Sequence, residues 1–342
     1  MTDVALSYDT NGPVDQVLTE VKYTTPPPSQ ANFVTARTLA TLVNPLDVMQ
    51  IVGGYRLGNV VDLGSTTANV PGNDGLFEVV ALTLDKYQVG DWVIPALPGM
   101  GTWRTLVAAT VVPEGVLPFI TVDKRIGRKA AEVLTINPPT AVALFHHVQD
   151  WRPGQWIVQN AGNSQVSHYV AQLARSSGVK VLLVVRDRLY PKVADQLKAN
   201  GATKVVTELE LLNGDVTVDG DVRLALDSVG GPTTEAMMHL LADKGILITY
   251  GVVSGQPVSY PGRLAFAKTL TATGFWLTKQ LLADPQWKIN IINTCVDLFR
   301  DGVFSVGDDI TYVEATPSTL KQTYVRAIQA SGKHVVVYNH DE

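Results

Sequence analysis

The sequence predicts a two-domain α/β protein, in which a β-rich, barrel-like domain is followed by a doubly wound parallel sheet. The chain has 342 residues, and at roughly 150 residues per domain this length suits about two domains. Short strands broken by Gly and Pro clusters run from residue 15 to residue 130. Beyond residue 130, apolar strands alternate with helical patterns, which is typical of a parallel sheet covered by helices.

Composition indicates a folded globular chain and argues against several classes of protein. Hydrophobic residues make up 46% and charged residues 17%, whereas a disordered chain is charge-rich and apolar-poor. The net charge of −5 argues against a surface for nucleic acid or anionic membrane. No apolar stretch approaches the roughly 20 residues of a membrane span. The single cysteine, Cys295, permits no internal disulfide and no thiolate-rich metal site.

The start of the chain carries no basic segment followed by an apolar stretch, so no secretory signal is visible. Arginine is also absent from the first 30 residues, unlike a mitochondrial presequence. We therefore expect a cytoplasmic protein. The mitochondrial matrix is the alternative, because a processed mitochondrial chain would look the same.

Each element is predicted from local periodicity and turn residues. In the first domain we expect strands at residues 15–21, 32–42, 75–81 and 92–96. In the second we expect strands at 155–159, 179–185, 204–207, 222–227, 246–250 and 271–274, and helices at 129–134, 140–146, 165–176 and 192–200. A tail with helices at 291–300 and 318–330 and a strand at 334–338 is expected to return to the first domain. The predicted domains are residues 1–130 with 300–342, and residues 131–299.

A small-residue turn after the strand at 155–159 is a candidate phosphate site. Residues 162–167 read G-x-S-x-x-S, a degenerate form of the G-x-G-x-x-G turn that binds a dinucleotide pyrophosphate at a helix N-terminus. An ordinary loop between a strand and a helix would look similar, so the turn alone is weak evidence.

The end of the next strand indicates which dinucleotide would bind. An NAD-binding unit has an acidic residue there for the ribose hydroxyl, but this chain has Arg186, Asp187 and Arg188. Two guanidinium groups would pair with a 2′-phosphate. The sequence therefore predicts NADP(H) rather than NAD, the alternative being a solvated charged loop.

Several segments resemble the medium-chain dehydrogenase/reductase superfamily, and most closely its mitochondrial-type trans-2-enoyl thioester reductases. The matching segments are residues 44–55, 71–80, 136–141, 159–164, 184–188, 249–251, 256–258 and 274–278. Zinc alcohol dehydrogenases of the superfamily carry Cys and His where Asn44 and Asn73 stand here. Neutral amides are poor zinc ligands, so we expect no catalytic zinc. The resemblance implies a GroES-like β-barrel catalytic domain and a Rossmann nucleotide-binding domain, with the active site in the cleft between them.

The resemblance also implies an activity, which is NADPH-dependent reduction of the C2=C3 bond of trans-2-enoyl thioesters of CoA or acyl carrier protein, as in fatty acid synthesis. Tyr55 would be catalytic, since a phenol stays protonated at neutral pH and can donate a proton or a hydrogen bond. A turn aromatic packed on the barrel rim is the simpler interpretation of Tyr55. Two other functions stay open, a zinc-free quinone or enone reductase and a non-catalytic NADPH-binding protein.

The resemblance assigns cofactor contacts to five parts of the chain. They are Asn137; Asn163, Ser164, Gln165 and Val166; Arg186, Asp187 and Arg188; Tyr250, Gly251, Val252 and Val253 with Phe275, Trp276, Leu277 and Thr278; and Lys333. Where the family has Gly-Val-Gly this chain has Gln165, Val166 and Ser167, so the helix is expected to approach the cofactor with more bulk. Members of the superfamily commonly dimerise through the edges of their nucleotide-binding sheets, and residues 264–274 are the candidate edge for a homodimer.

Overall fold

The computed structural model describes residues 3–25, 32–55, 60–64, 66–110, 116–330 and 332–340. The chain divides into two compact units, residues 1–136, 278–300 and 306–342, and residues 137–277 with 301–305. This division groups residues 278–300 with the first unit, whereas the sequence predicts residues 278–299 in the nucleotide-binding domain. The assignment of a function to each domain stays a prediction.

The part of the chain before residue 137 is dominated by strands. They are β1 (Asp3–Ser7), β2 (Thr19–Tyr23), β3 (Phe33–Val43), β4 (Val60–Asp62), β5 (Thr67–Asn69), β6 (Leu76–Leu82), β7 (Trp92–Pro95), β8 (Leu106–Thr110) and β9 (Phe119–Thr121). The helices are α1 (Val14–Val17), α2 (Pro45–Val52) and α3 (Arg128–Val133), with a short 3-10 helix at Lys124–Ile126.

The second unit alternates strands and helices. Its strands are β10 (Trp156–Gln159), β11 (Lys180–Val185), β12 (Lys204–Thr207), β13 (Val222–Asp227), β14 (Leu241–Thr249) and β15 (Thr271–Gly274). Its helices are α4 (Asn137–Phe145), α5 (Gln165–Ser176), α6 (Tyr190–Ala199), α7 (Glu208–Leu212), α8 (Pro232–Leu240) and α9 (Gly262–Lys268). The remaining elements are α10 (Leu277–Ala283), α11 (Pro285–Arg300), β16 (Ile310–Ala315), α12 (Leu320–Gln329) and β17 (Lys333–Tyr338).

Strand order defines the two main sheets within the described residues. In the first unit the order is β16-β17-β3-β6-β7-β9, with β8 pairing to β3. In the second unit all pairs are parallel, in the order β12-β11-β10-β13-β14-β15. Counted within this sheet the order is 3-2-1-4-5-6, that of a dinucleotide-binding sheet, and its direction reverses between β10 and β13. Ligands bind outside the carboxyl ends of the strands at such a point.

Each unit has its own apolar core. In the first unit, Trp103 and Tyr324 are fully buried and their ring centroids lie 4.2 Å apart. In the second, β10, β11 and β13 are buried along almost their whole length, as expected for parallel strands covered on both faces. The predicted apolar runs are therefore central strands of a sheet.

Two element boundaries differ from the prediction for identifiable reasons. The strand predicted at 15–21 was wrong at its start, because α1 occupies Val14–Val17 and β2 begins at Thr19. Val14 and Val17 are three residues apart, which places both on one side of the helical turn, and both pack on the core. α4 begins at Asn137, earlier than predicted, and includes two prolines. The first turn tolerates proline because its N–H groups have no helical acceptor.

Candidate functional site

The turn between β10 and α5 is closed tightly against β11. A Cβ added at Gly162 would lie 2.8 Å from the Cβ of Leu183 and 3.0 Å from the carbonyl oxygen of Val184. Ala161 adopts a left-handed conformation, with φ of 47°, which is uncommon for a residue with a Cβ. Only glycine fits at position 162, and this lets the backbone of the turn and the N-terminus of α5 lie at the carboxyl end of the sheet.

The N-terminus of α5 is capped by serines of the turn. The hydroxyl of Ser164 accepts a hydrogen bond from the N–H of Ser167 at 3.2 Å, the usual N-cap arrangement. The Ser167 hydroxyl donates within the turn, where the carbonyl oxygens of Gly162 and Ser164 lie 2.8 and 2.7 Å away. Ser167 is fully buried, so its side chain lies on the inner side of the turn, and the expected extra bulk toward the cofactor stays a prediction.

Of the predicted phosphate-binding residues, Asn163 is exposed, Ser164 is half-buried, and Gln165 and Val166 are buried in the first turn of α5. The N-terminus of a helix attracts anions through its free N–H groups and its dipole. Arg186, Asp187 and Arg188 follow β11 directly and are exposed. The two guanidinium groups are therefore accessible to an anionic ligand.

A buried carboxylate missed by the sequence analysis organises the carboxyl ends of β10, β13 and β14. One oxygen of Asp227 accepts hydrogen bonds from Asn160 Nδ2 at 2.6 Å and from the N–H of Gly230 at 2.9 Å. The other accepts from the Thr249 hydroxyl at 3.1 Å. In turn Asn160 Oδ1 accepts from the N–H of Ser228 at 2.8 Å. The sequence signal that could have identified this carboxylate is an acidic residue at the end of a predicted buried strand.

The predicted run from Tyr250 to Val253 follows β14 beside this network. The Tyr250 hydroxyl accepts a hydrogen bond from Gln159 Nε2 at 2.8 Å, and burial raises the pKa of Tyr250 above its ordinary value. A Cβ at Gly251 would lie 3.0 Å from Ser228, which explains the glycine. Val252 and Val253 are 53% and 68% exposed, an unusual state for two consecutive valines.

The predicted run from Phe275 to Thr278 spans the division between the two units. Phe275 is buried, and its N–H donates to the carbonyl oxygen of Thr249 at 2.9 Å. Trp276 is half exposed and Leu277 begins α10. Thr278 is buried in the first unit, where its hydroxyl lies 3.4 Å from the hydroxyl of Tyr55.

Asn137, the first residue of α4, has a side-chain nitrogen that could donate a hydrogen bond to a ligand. Its Nδ2 is buried and has no hydrogen-bond partner among the described residues. Leaving such a donor unpaired costs about 1–3 kcal/mol. A dinucleotide fits this donor set, because the second unit also offers a tight glycine turn, the N-terminus of α5 and two exposed guanidinium groups.

Tyr55 stands at the end of α2 in the first unit and is half-buried. α2 ends at Gly53 in a left-handed conformation, with φ of 87°, a common helix end. The N–H groups of Gly54 and Tyr55 both donate to the carbonyl oxygen of Met49, at 2.8 and 3.2 Å. The last turn of α2 therefore sets the position of the Tyr55 backbone.

The two asparagines at zinc-ligand positions are committed to protein partners. Asn44 caps α2, its N–H donating to Asp47 at 2.9 Å, and its Nδ2 donates to Asp74 at 3.3 Å. Asn73 donates to Asp47 at 2.8 Å and to Gln50 at 2.6 Å. The carboxylates of Asp47 and Asp74 are both fully buried. Burial raises the pKa of Asp47 to about 6 and also raises that of Asp74.

Two lysines lie in the same buried region of the first unit. Lys333 donates to Asn44 Oδ1 and, at 3.1 Å, to the carbonyl oxygen of Val43. Burial lowers its pKa to about 8, and the nearby Asp74 and Asp47 oppose that shift. Lys288 on α11 donates to the carbonyl oxygen of Pro95 at 2.7 Å, and burial lowers its pKa to about 7. The side chain of Lys333, predicted to contact the cofactor, is thus directed at Asn44.

Neither a metal-binding cluster nor a membrane-spanning helix is present among the described residues. They contain no group of three or more His, Cys, Asp or Glu side chains that could hold a metal ion. Among the helices of the described ranges, none combines the length and apolar character needed to cross a bilayer.

Comparison with curated proteins identifies relatives over most of the chain. A scan against protein-family models gives no match. The chain is 35% identical to the mitochondrial enoyl-[acyl-carrier-protein] reductase of Eremothecium gossypii, over 97% of this chain and 94% of the relative. It is also 35% identical to an NADPH quinone oxidoreductase of Kluyveromyces marxianus, over 82% of this chain and 77% of that protein.

Structures of enoyl thioester reductases are also similar to this chain over almost its whole length. The mitochondrial 2-enoyl thioester reductase Etr1p/Etr2p heterodimer from Candida tropicalis matches with a TM-score of 0.88 and 28% identity, over 99% of this chain and 100% of that chain. The Etr1p/NADP/crotonyl-CoA complex matches with a TM-score of 0.85 at the same identity and coverage. The predicted fold class, a GroES-like β-barrel domain with a Rossmann domain, is confirmed.

Proposed function

The chain belongs to the mitochondrial-type enoyl thioester reductases, a zinc-free branch of the medium-chain dehydrogenase/reductase superfamily, and on this premise we propose how it acts. It reduces the C2=C3 double bond of trans-2-enoyl thioesters with NADPH, as in fatty acid synthesis. The observation that carries the proposal is the Tyr55 hydroxyl, a proton donor at the end of α2, 3.4 Å from that of Thr278. The structural match to the Etr1p/NADP/crotonyl-CoA complex supports it.

The chemistry assigns a role to Tyr55. When bound, NADPH supplies the hydride that adds to C3 of the thioester. Negative charge then develops on the thioester carbonyl oxygen and C2, and this charge needs a hydrogen-bond donor and finally a proton. The phenol of Tyr55 can give either, and the proton added at C2 balances the hydride added at C3.

The residues of the second unit hold the cofactor in this proposal. Asn163, Ser164, Gln165 and Val166 at the N-terminus of α5 hold the pyrophosphate, and the guanidinium groups of Arg186 and Arg188 hold the 2′-phosphate, with Asp187 between them. Asn137 Nδ2, which has no partner within the described part of the chain, donates to the cofactor. The runs 250–253 and 275–278 lie along its nicotinamide side. The predicted contact of Lys333 with the cofactor is part of the proposal, although its ammonium donates to Asn44 and Val43.

We propose the mitochondrial matrix as the location. The Eremothecium gossypii relative and others of similar identity are named as mitochondrial. The cytoplasmic location expected from the sequence has no support from these comparisons. Fractionation of the source cells with a matrix marker would decide between the two.

We also propose a homodimer formed through the edge of the six-stranded sheet. β15 is the last strand in that sheet, and all four of its residues are exposed. Phe266, in the preceding helix, is 89% exposed. An exposed edge strand with an apolar neighbour favours pairing with a second chain. The heterodimer of Candida tropicalis supports a two-chain assembly.

The test of the activity is oxidation of NADPH, followed by absorbance, with crotonyl-CoA, with a medium-chain trans-2-enoyl-CoA and with a simple quinone. In Tyr55→Phe we expect kcat for both thioesters to fall about 100-fold or more, the usual contribution of a positioned proton donor. Tyr312→Phe is the matched control in the same unit, because the Tyr312 hydroxyl is buried and has no hydrogen-bond partner among the residues that the structure describes.

Each alternative function predicts a different result. Turnover of the quinone alone, equal in wild type and Tyr55→Phe, would mean that the chain resembles its quinone-reducing relative in activity. Tight NADPH binding with no turnover of any activated alkene would indicate a non-catalytic binding protein. Loss of activity in Tyr312→Phe as well would remove the special role of Tyr55.

A further inference from the structure

The amide of Asn73 joins two side chains of α2 to a loop. Its two Nδ2 hydrogens donate to Asp47 Oδ1 at 2.8 Å and to Gln50 Oε1 at 2.6 Å. Its Oδ1 accepts the N–H of Gly99 at 3.0 Å. Asn73 is 3% exposed, so these three bonds are shielded from water. Asp47 and Gln50 are three residues apart and lie on one face of α2.

This cross-link acts on the helix that presents Tyr55. Tyr55 N–H donates to the carbonyl oxygen of Met49, one residue before Gln50. At the same end of α2, Asn11 Nδ2 donates to the carbonyl oxygens of Gln50 and Ile51, at 3.0 and 3.1 Å. Rotation or translation of α2 would therefore move Tyr55 with it. The bonds from Asn73 oppose such motion in the turns that precede Tyr55.

We propose that Asn73 is a positioning residue for the reduction, holding α2 so that the hydroxyl of Tyr55 stays in reach of the substrate. The inference rests on the proposed function. It concerns a position where the zinc enzymes of the superfamily have a metal ligand. In this chain the position holds a buried amide. It is hydrogen-bonded to two side chains of α2 and to the N–H of Gly99, and so fixes α2 against the loop.

Only an amide satisfies these three partners. A carboxylate at position 73 would have no hydrogens for Asp47 and Gln50, and would place a second negative charge beside Asp47. An aliphatic side chain of similar size would remove the hydrogen bonds that Asn73 gives to Asp47 Oδ1 and Gln50 Oε1 in a buried place. In either case α2 would relax toward new partners, and misplacement by about 1 Å can lower a rate by about 100-fold.

The test uses the full-length enzyme with Asn73→Leu and a milder variant, Gln50→Met, which removes one of the three bonds. We expect kcat with crotonyl-CoA to fall about 10- to 100-fold, with the KM for NADPH and its Kd within about threefold of wild type. In a Tyr55→Phe background the same changes should lower kcat by less than about threefold, because the group they position is absent.

Gln172→Leu is the matched control. Gln172 is 3% exposed, donates to Asn200 and Ser305 at 2.8 Å each, and accepts the N–H of Ser305 at 3.0 Å. Its Nε2 also lies 3.1 Å from His168 Nε2 and 3.3 Å from the carbonyl oxygen of Ser305, so Gln172 is a buried cross-linking amide of the second unit. Gln172→Leu should destabilise the fold comparably and combine additively with Tyr55→Phe. Equal, additive losses of kcat for Asn73→Leu, Gln50→Met and Gln172→Leu would overturn the positioning role.

A spectroscopic readout separates this inference from the proposed function. With 3-fluorotyrosine at the 11 tyrosines, the ¹⁹F resonance of residue 55 is the one missing in Tyr55→Phe. It should shift or broaden in Gln50→Met and Asn73→Leu and stay in place in Gln172→Leu. An unmoved resonance would overturn the positioning role even in an active enzyme. A moved resonance in an enzyme without thioester turnover would show that Asn73 sets the position of Tyr55, but it would reject the proposed function and with it a role in the reduction.

Discussion

Lys288 shows what burial does to a single charged residue. It is 3% exposed, and its ammonium donates to the carbonyl oxygen of Pro95 at 2.7 Å. Among the described residues, no carboxylate lies in ion-pair contact with it. Burial disfavours the charged amine and lowers its pKa to about 7, while Asp74 opposes the shift. Folding therefore changes the proton affinity of this amine.

The lowered pKa of Lys288 predicts a stability that depends on pH. Between pH 7 and about 10.5 the unfolded chain binds a proton that the folded chain lacks, so the free energy of unfolding rises with pH. Its limiting slope is about 1.4 kcal/mol per pH unit. Below pH 7 both states are protonated, and the penalty for burying the charge is complete. Lys288→Met removes this penalty, so its stability relative to wild type should be greatest below pH 7 and fall toward pH 10.

The measurement is urea unfolding of wild type and Lys288→Met at a series of pH values from 6 to 10. Lys192→Met, at an exposed lysine of α6, controls for the loss of an amine. If the difference in the free energy of unfolding between wild type and Lys288→Met stays constant over this range, burial does not lower the pKa of Lys288 in the folded chain.

At the scale of elements, the site in the second unit depends on how closely α5 approaches β11. Gly162 makes this approach possible, since its Cα faces Leu183 and the carbonyl of Val184. The serines at 164 and 167 then cap the helix and leave its first turn available to an anion. The cofactor site is therefore a consequence of how one helix begins.

Gly162→Ala should weaken NADPH binding. The added Cβ would lie 2.8 Å from the Cβ of Leu183 and 3.0 Å from a backbone oxygen, so α5 must shift away from β11. Overpacking of this kind costs about 1–3 kcal/mol, and we expect the Kd of NADPH to rise about tenfold with a lower Tm. Fluorescence titration and thermal unfolding measure both.

Gly262→Ala is the control for this substitution, because a Cβ at Gly262 meets no atom within 4 Å. It should leave the Kd of NADPH unchanged. If Gly162→Ala binds NADPH as tightly as wild type, the turn between β10 and α5 does not hold the pyrophosphate.

At the scale of the whole molecule, the six-stranded sheet has two edges with different surroundings. At one edge β12 is followed by α7. At the other, β15 is exposed along its length, and Phe266 of α9 adds an apolar surface. Edge strands left open in this way pair readily with other chains. The edge formed by β15 is thus the candidate site of self-association.

Charges at this edge should dissociate the proposed homodimer. Phe266→Glu combined with Ala272→Glu would place like charges on both sides of a twofold contact. We expect a dimer for wild type and a monomer for the variant in sedimentation velocity. Leu209→Glu is the control, since Leu209 is 57% exposed on α7 at the opposite edge. A monomeric wild type would reject the homodimer, and a dimeric double variant would place the contact elsewhere.

Features that depend on neighbours in the chain could be predicted from the sequence alone. The β10–α5–β11 unit was predicted within one residue at each end, because apolar runs, helical spacing and small turn residues are local patterns. The short motifs around residues 44–55 and 186–188 indicated the family, and the comparisons confirmed it. α1 was missed because four residues are too few for periodicity to separate a turn from a strand.

Which polar groups meet depends instead on how distant parts of the chain pack together. Asn160 and Asp227 are 67 residues apart in the chain, Asn73 and Gln50 are 23 apart, and Lys333 and Asn44 are 289 apart. No periodicity connects such positions, since each pair is formed where separate elements end side by side. Burial makes each hydrogen bond obligatory, and burial follows from the packing of whole elements rather than from the residue type.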